Sequence, residues 1–382
     1  NGGTMVVNGV INFINESYIN RTSFVFGDNS PYLISKGLNL FSLPNTGNYT
    51  ITLNKTNSTV EYQRAEDQYV YGPTNYYNLI SSVSGVKTLQ GAVGVRNLTI
   101  KDASNLTTAY NITGNSAGRL EINNTATLTL GSAYTTPTFP TNFTSGNIVF
   151  SPGTTVVYQG VDQQAVSSTP SAYKNLRIQG GGTKIIDGNI RVDSSLVLDN
   201  ARLSTGAYAE IILGKDVTIS AASGSFNSSE MIVTPVTGRL VKEGTQPSDF
   251  EIVYPIGANA FYYTPLEVTS LSATVNGTGS FYVETINQRG EFTNPNDLNR
   301  HWATSSNNLS NISASIKFTY HQDDVLGDED KYKPMFLTGE TWTDASNGFV
   351  DINNDFFTVS NVTNIDGCWT LREPTVTYFS YQ

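Results

Sequence analysis

Apolar and polar residues alternate along this chain in short runs. Asn97-Leu-Thr-Ile100, Arg119-Leu-Glu-Ile122, Thr127-Leu-Thr-Leu130, Asn175-Leu-Arg-Ile178, Ser195-Leu-Val-Leu198 and Asp216-Val-Thr-Ile219 each place apolar side chains two apart. Each run soon meets Gly, Asn, Asp or Ser. Period 2 is the pattern of a strand with one buried face. No stretch of about twelve residues carries i, i+3, i+4 apolar spacing free of breakers, so helices are not expected. The pattern predicts many short strands joined by polar turns. Leu79, Ile100, Leu120, Leu128, Leu176, Ile178, Leu196, Leu198 and Ile219 are the expected core.

The runs repeat. Val60-Glu-Tyr-Gln63 returns 96 residues later as Val156-Val-Tyr-Gln159, and Gln68 falls on Gln164. At an offset of 97, Tyr76-Tyr-Asn-Leu79 meets Tyr173-Lys-Asn-Leu176, Gly85-Val-Lys87 meets Gly182-Thr-Lys184, and Gly91 meets Gly188. A short strand cannot bury its apolar face alone, whereas stacked coils cover that face and pair the backbone edges. A right-handed parallel β-helix does both, with several coils per repeat. Asn-Gly and Asp-Gly hairpin turns are scarce, which argues against a row of antiparallel units. Near residue 226 the pattern changes. Aromatic residues multiply, and longer runs such as Ser315-Ile-Lys-Phe-Thr-Tyr320 appear. An all-β chain is expected: a parallel β-helix (solenoid) over 1–225, with repeat units at about 55–150 and 151–225, then an antiparallel β-sandwich over 226–374. Asn1-Gly-Gly-Thr4 reads as a processed or excised beginning.

Composition narrows the function. Charged residues make up only 14% of the 382, and the formal net charge is −10. Nucleic-acid binding needs clustered Lys and Arg, so it is not expected. No apolar run is long enough to span a bilayer as a helix, and no direct membrane insertion is expected. A single cysteine, Cys368, excludes an intrachain disulfide framework and reads as a small buried hydrophobe.

The unit V-x-Y-Q, Y-x-N-L, G-x-K resembles the β-helical repeats of large surface adhesins of Bacteroidetes. The second half resembles the β-domain that often follows them, through Gly238-Arg-Leu-Val-Lys242, Tyr254-Pro-Ile-Gly257, Tyr263-Thr-Pro265, Leu298-Asn-Arg-His-Trp302 and Trp342. The resemblance implies export by the type IX secretion system, an extracellular place at the cell surface, and a role in adhesion or gliding motility. Residues 375–382 resemble the opening of a further module in such chains, and neighbouring modules of the same chain would be its partners.

Catalytic chemistry finds little purchase. His301 and His321 lie in separate strands, and no H-E-x-x-H, C-x-x-C or G-x-S-x-G is present. The acids of residues 55–225 are scattered, without the carboxylate pair of a glycosidase. The chain is therefore expected not to be an enzyme, the alternative being a β-helical polysaccharide lyase or hydrolase. No cofactor is expected except calcium. Asp351-Ile-Asn353-Asn-Asp355 opens like a calcium loop, though Phe356 stands where the turn glycine belongs. Asp323-Asp324 and Asp328-Glu-Asp330 form a second acidic stretch. Tyr69, Tyr71, Tyr76 and Tyr77 cluster in the first repeat's loop, and Tyr173 is their counterpart in the second. Flat tyrosine faces beside asparagine amides suit an extracellular or surface polysaccharide.

Overall fold

A computed structural model describes residues 4–14, 23–41, 50–235, 237–286, 296–345 and 347–374. The expected module start at 375–382 lies outside them. The chain is nearly all β, with 53% strand and no α-helix among the described residues, and it contains a parallel β-solenoid of about 12 turns. Two compact units divide it: residues 1–185 with 194–201, and residues 186–193 with 202–382.

In the first unit, a short parallel sheet pairs Thr4–Val7, Ser23–Phe26 and Ile51–Thr52, and two longer parallel stacks carry most of the coils. One stacks Val10–Phe13, Tyr32–Ser35, Thr59–Tyr62, Thr74–Ser81, Val93–Ile100, Leu120–Ile122 and Ile148–Phe150. The other stacks Gln68–Val70, Val86–Leu89, Asn105–Thr108, Thr127–Leu130, Thr155–Tyr158 and Tyr173–Gln179. Register turns sequence alternation into ladders. Leu33, Val60, Leu79, Leu98, Leu120 and Ile148 stand one above another. All six are buried. Each such side chain removed from water stabilises the coil by about 1.5–3 kcal/mol. Of the nine expected core residues, eight are buried; Ile219 is only half-buried, on the strand Thr218–Ala221, where no side chain is fully buried.

In the second unit, parallel stacking continues beyond the expected change at 226. Leu203 pairs with Ile232 and Ile232 with Ile256, while Ile211 pairs with Leu240. Antiparallel pairing then takes over through two long strands, Leu266–Ile286 and His301–Thr319. Trp302 and Phe318 lie on the same strand, sixteen residues apart, which would separate them by about 50 Å if the strand ran straight. Their rings nevertheless sit 5.4 Å apart. The hairpin therefore doubles back on itself. The reversal falls where the register slips between Val275 and Ser280 and where Gly277, Asn308 and Asn311 adopt positive φ. Trp302, Phe318, Phe357, Trp369 and Phe336 form one aromatic cluster in this unit.

Candidate functional site

The residues that define the repeat are internal fasteners. Tyr62 and Tyr76 are buried, and their hydroxyls lie 3.0 Å apart. Tyr62 Oη accepts from the Tyr71 amide at 3.0 Å, and Tyr76 Oη donates to the Tyr71 carbonyl at 2.6 Å. The second repeat reproduces this arrangement. Tyr158 and Tyr173 hydroxyls lie 2.9 Å apart, Tyr158 Oη accepts from the Ser167 amide at 3.1 Å, and Tyr173 Oη donates to the Ser167 carbonyl at 2.6 Å. Each pair satisfies both backbone groups of one loop residue, which burial would otherwise leave orphaned.

Gln68 and Gln164 do the same for the preceding loops. Gln68 Nε2 donates to the Ser35 and Gly37 carbonyls at 3.0 and 2.8 Å, and Gln164 Nε2 to those of Leu130 and Pro137 at 3.1 and 2.9 Å. Asn78 and Asn97 are register partners on adjacent strands, with Asn97 Nδ2 donating to Asn78 Oδ1 at 2.7 Å. The lysine of G-x-K points inward. Lys87 Nζ donates to the Arg64 and Ser84 carbonyls at 2.6 and 2.7 Å, and Lys184 Nζ to those of Gly160 and Gly181. Burial pulls both ammonium groups down to about 8, with Asp67 and Asp162 respectively working against the shift. Lys242 repeats the device in the second unit, donating to the Gly214 and Lys215 carbonyls at 2.9 and 2.8 Å. The glycine two residues earlier is required. Gly85 has φ +87° and Gly182 φ +66°, and a Cβ there would lie 2.5 Å from the Glu66 backbone or 2.7 Å from the Val161 carbonyl.

These contacts correct part of the tyrosine expectation. Tyr76 and Tyr173 are buried with their hydroxyls engaged, so neither can offer a face to a sugar. The physical reason is the tyrosine partner fourteen or fifteen residues earlier, which makes a dry site acceptable to a phenol. Tyr71 packs against Phe41 with ring centroids 4.6 Å apart, and Tyr77 lies under the Arg96 guanidinium. Only Tyr69 of the set is exposed.

The acidic stretches also have structural work. Asp351 accepts from the Asn353 amide at 3.1 Å and from Asn354 Nδ2 at 2.9 Å, and Asp355, at φ 52°, offers its carbonyl to the Tyr320 amide at 2.9 Å. Asp351, Asn353 and Asp355 thus form the turn of a hairpin. Asp324 is buried in a two-pronged pair with Arg300, at 3.0 and 3.1 Å. No group of three or more His, Cys, Asp or Glu able to hold a metal ion occurs among the described residues. Asp193 and Glu243 both accept from the Arg191 guanidinium at 2.8 Å, which neutralises them as an ion cluster.

One concave surface carries an aromatic side chain that the core does not use. A groove of about 770 Å³ in the antiparallel region is lined by Glu329, Asp330, Lys333, Asp344, Phe349 and Ile352 among others. Phe349 is 60% exposed there. Sequence gives it no signal, because Phe349-Val-Asp351 alternates as any edge strand does.

In comparisons with known proteins, no family model, no curated protein and no solved structure matches the chain.

Proposed function

We propose that this chain is a structural and adhesive segment of a large extracellular surface protein, a stalk or a module that binds carbohydrate or surfaces, without enzymatic turnover. The observation that carries this reading is the use of the repeated polar residues. Tyr62, Tyr76, Gln68 and Lys87, and their counterparts Tyr158, Tyr173, Gln164 and Lys184, all tie loops to coils. Repetition selected for chemistry would instead place reactive groups on an open face. Adding coils extends a solenoid without redesign, since each coil contacts only its neighbours. A polar, weakly charged surface rich in Asn, Ser and Thr suits an extracellular setting. Export by type IX secretion and a part in gliding belong to the same proposal and rest on the resemblance of the repeat unit.

The test uses beads coated with the full chain. They are expected to adhere to polysaccharide-coated surfaces under flow, and the soluble chain is expected to leave a panel of neutral and acidic polysaccharides uncleaved. Turnover abolished by one carboxylate-to-amide change would replace this reading with a β-helical lyase or hydrolase. Absence of adhesion on every surface would remove the adhesive half of it.

A further inference from the structure

The geometry points to the groove beside Phe349 as a binding site for a polysaccharide bearing free amino groups, of the deacetylated hexosamine type; this inference rests on the adhesive reading above. The groove lies in the region of the Lys333–Thr338 and Thr341–Asp344 hairpin and the short strand Phe349–Asp351. Its size falls in the range of small-ligand sites. Phe349 and Ile352 present apolar surface to it, whereas the aromatic residues Phe357 and Trp369 of the same region are buried. A pyranose ring has an apolar C–H face that packs on an aromatic face.

Charge selects among sugars. Three carboxylates, Glu329, Asp330 and Asp344, line the groove against one ammonium, Lys333. Glu329 is held in place by the Tyr320 hydroxyl at 2.6 Å and by Gln322 Nε2 at 3.2 Å. Asp344 stands 3.9 Å from Lys333, both side chains being exposed. Asp330 is exposed and makes no ion pair among the described residues. Uronic or sulfated polymers would meet repulsion here. A ring apolar on its face and cationic at its edge meets both an aromatic surface and an open carboxylate, and charge-assisted hydrogen bonds are the stronger kind. The net charge of −10 draws polycations toward the chain.

Calorimetry on the full chain tests this with four probes: a glucosamine hexamer, its N-acetylated form, a galacturonate hexamer and hexalysine. The glucosamine hexamer is expected to bind, and more weakly as salt is raised. Phe349→Ala, at an exposed position, is expected to weaken binding about tenfold, or ~1.4 kcal/mol. Asp330→Asn is expected to weaken the glucosamine hexamer and leave the N-acetylated form unchanged. Failure of the glucosamine hexamer to bind, binding indifferent to Phe349→Ala, or tighter binding of hexalysine or galacturonate would each overturn the assignment. Bead adhesion separates this from the broader reading. Beads carrying Phe349→Ala that adhere to a glucosamine-polymer surface as well as wild-type beads leave the adhesive role standing and remove the groove; if neither adheres to any polysaccharide, both fall.

Discussion

Tyr173→Ala is expected to destabilise the first unit by about 3–5 kcal/mol, the cost of deleting a large buried aromatic. The ring is fully buried, and it contacts Tyr158 at 6.4 Å and Phe150 at 6.1 Å between centroids. The hydroxyl adds its own part. It donates to the Ser167 carbonyl, which would be left unpaired in a dry loop at a cost of about 1–3 kcal/mol. Tyr173→Phe keeps the ring and removes only the hydroxyl, so it should cost no more than that second range. Tyr69→Ala, at an exposed position, should stay within about 0.5 kcal/mol. Urea unfolding of the three variants measures the series. A Tyr173→Ala midpoint equal to wild type would mean that the paired tyrosines do not fasten the coil.

Acid should weaken the second unit through His301. Its ring is buried and tilted against Trp342, 5.7 Å between centroids, and its Nε2 has no hydrogen-bond partner among the described residues. Burial first, and then the nearby Arg300 and Arg372 guanidinium groups, lower its pKa from 6.5 to about 4. In the unfolded chain the imidazole takes up a proton near 6.5, whereas the folded chain resists until about 4. Between those values the unfolded state binds more protons, so stability falls as pH falls. The loss approaches about 3 kcal/mol once pH reaches 4. Glu284, whose pKa is raised by burial, works in the opposite sense. Comparison with His301→Gln therefore isolates the histidine. Wild type should lose stability from pH 6.5 to 4 relative to the variant. Parallel pH profiles would show that His301 does not titrate differently in the two states.

Much of the fold was legible because period 2 and repetition report directly on coil geometry. Leu79, Leu98 and Leu120 alternate in sequence and stack in space for one reason, the pleat of a strand buried on one side. The role of the repeated polar residues was not legible. Tyrosine and asparagine read equally well as sugar contacts, and what decides is a partner on another strand, such as Tyr158 for Tyr173. The G-x-K motif was visible, but that its lysine is buried on backbone carbonyls depends on loops folding over it. The change near 226 followed aromatic content, whereas pairing depends on which backbone edge receives the next strand; Ile232 and Ile256 still stack in parallel. Arg300 and Asp324 are twenty-four residues apart, and no local pattern joins them. Phe349 was invisible because exposure is a property of the surface, not of the alternation that carries it.

The stacking of coils is the claim from which the rest follows, and a cross-link measures it most directly. Asn78 and Asn97 are register partners on adjacent parallel strands. Such strands lie about 4.8 Å apart, within the Cα range of a disulfide. In a Cys368→Ser background, the pair Asn78→Cys and Asn97→Cys should oxidise readily to an intramolecular disulfide. The pair Asn78→Cys and Arg119→Cys, one strand further along the stack, should not. No cross-link between 78 and 97, or one formed equally fast between 78 and 119, would contradict a parallel solenoid in this register.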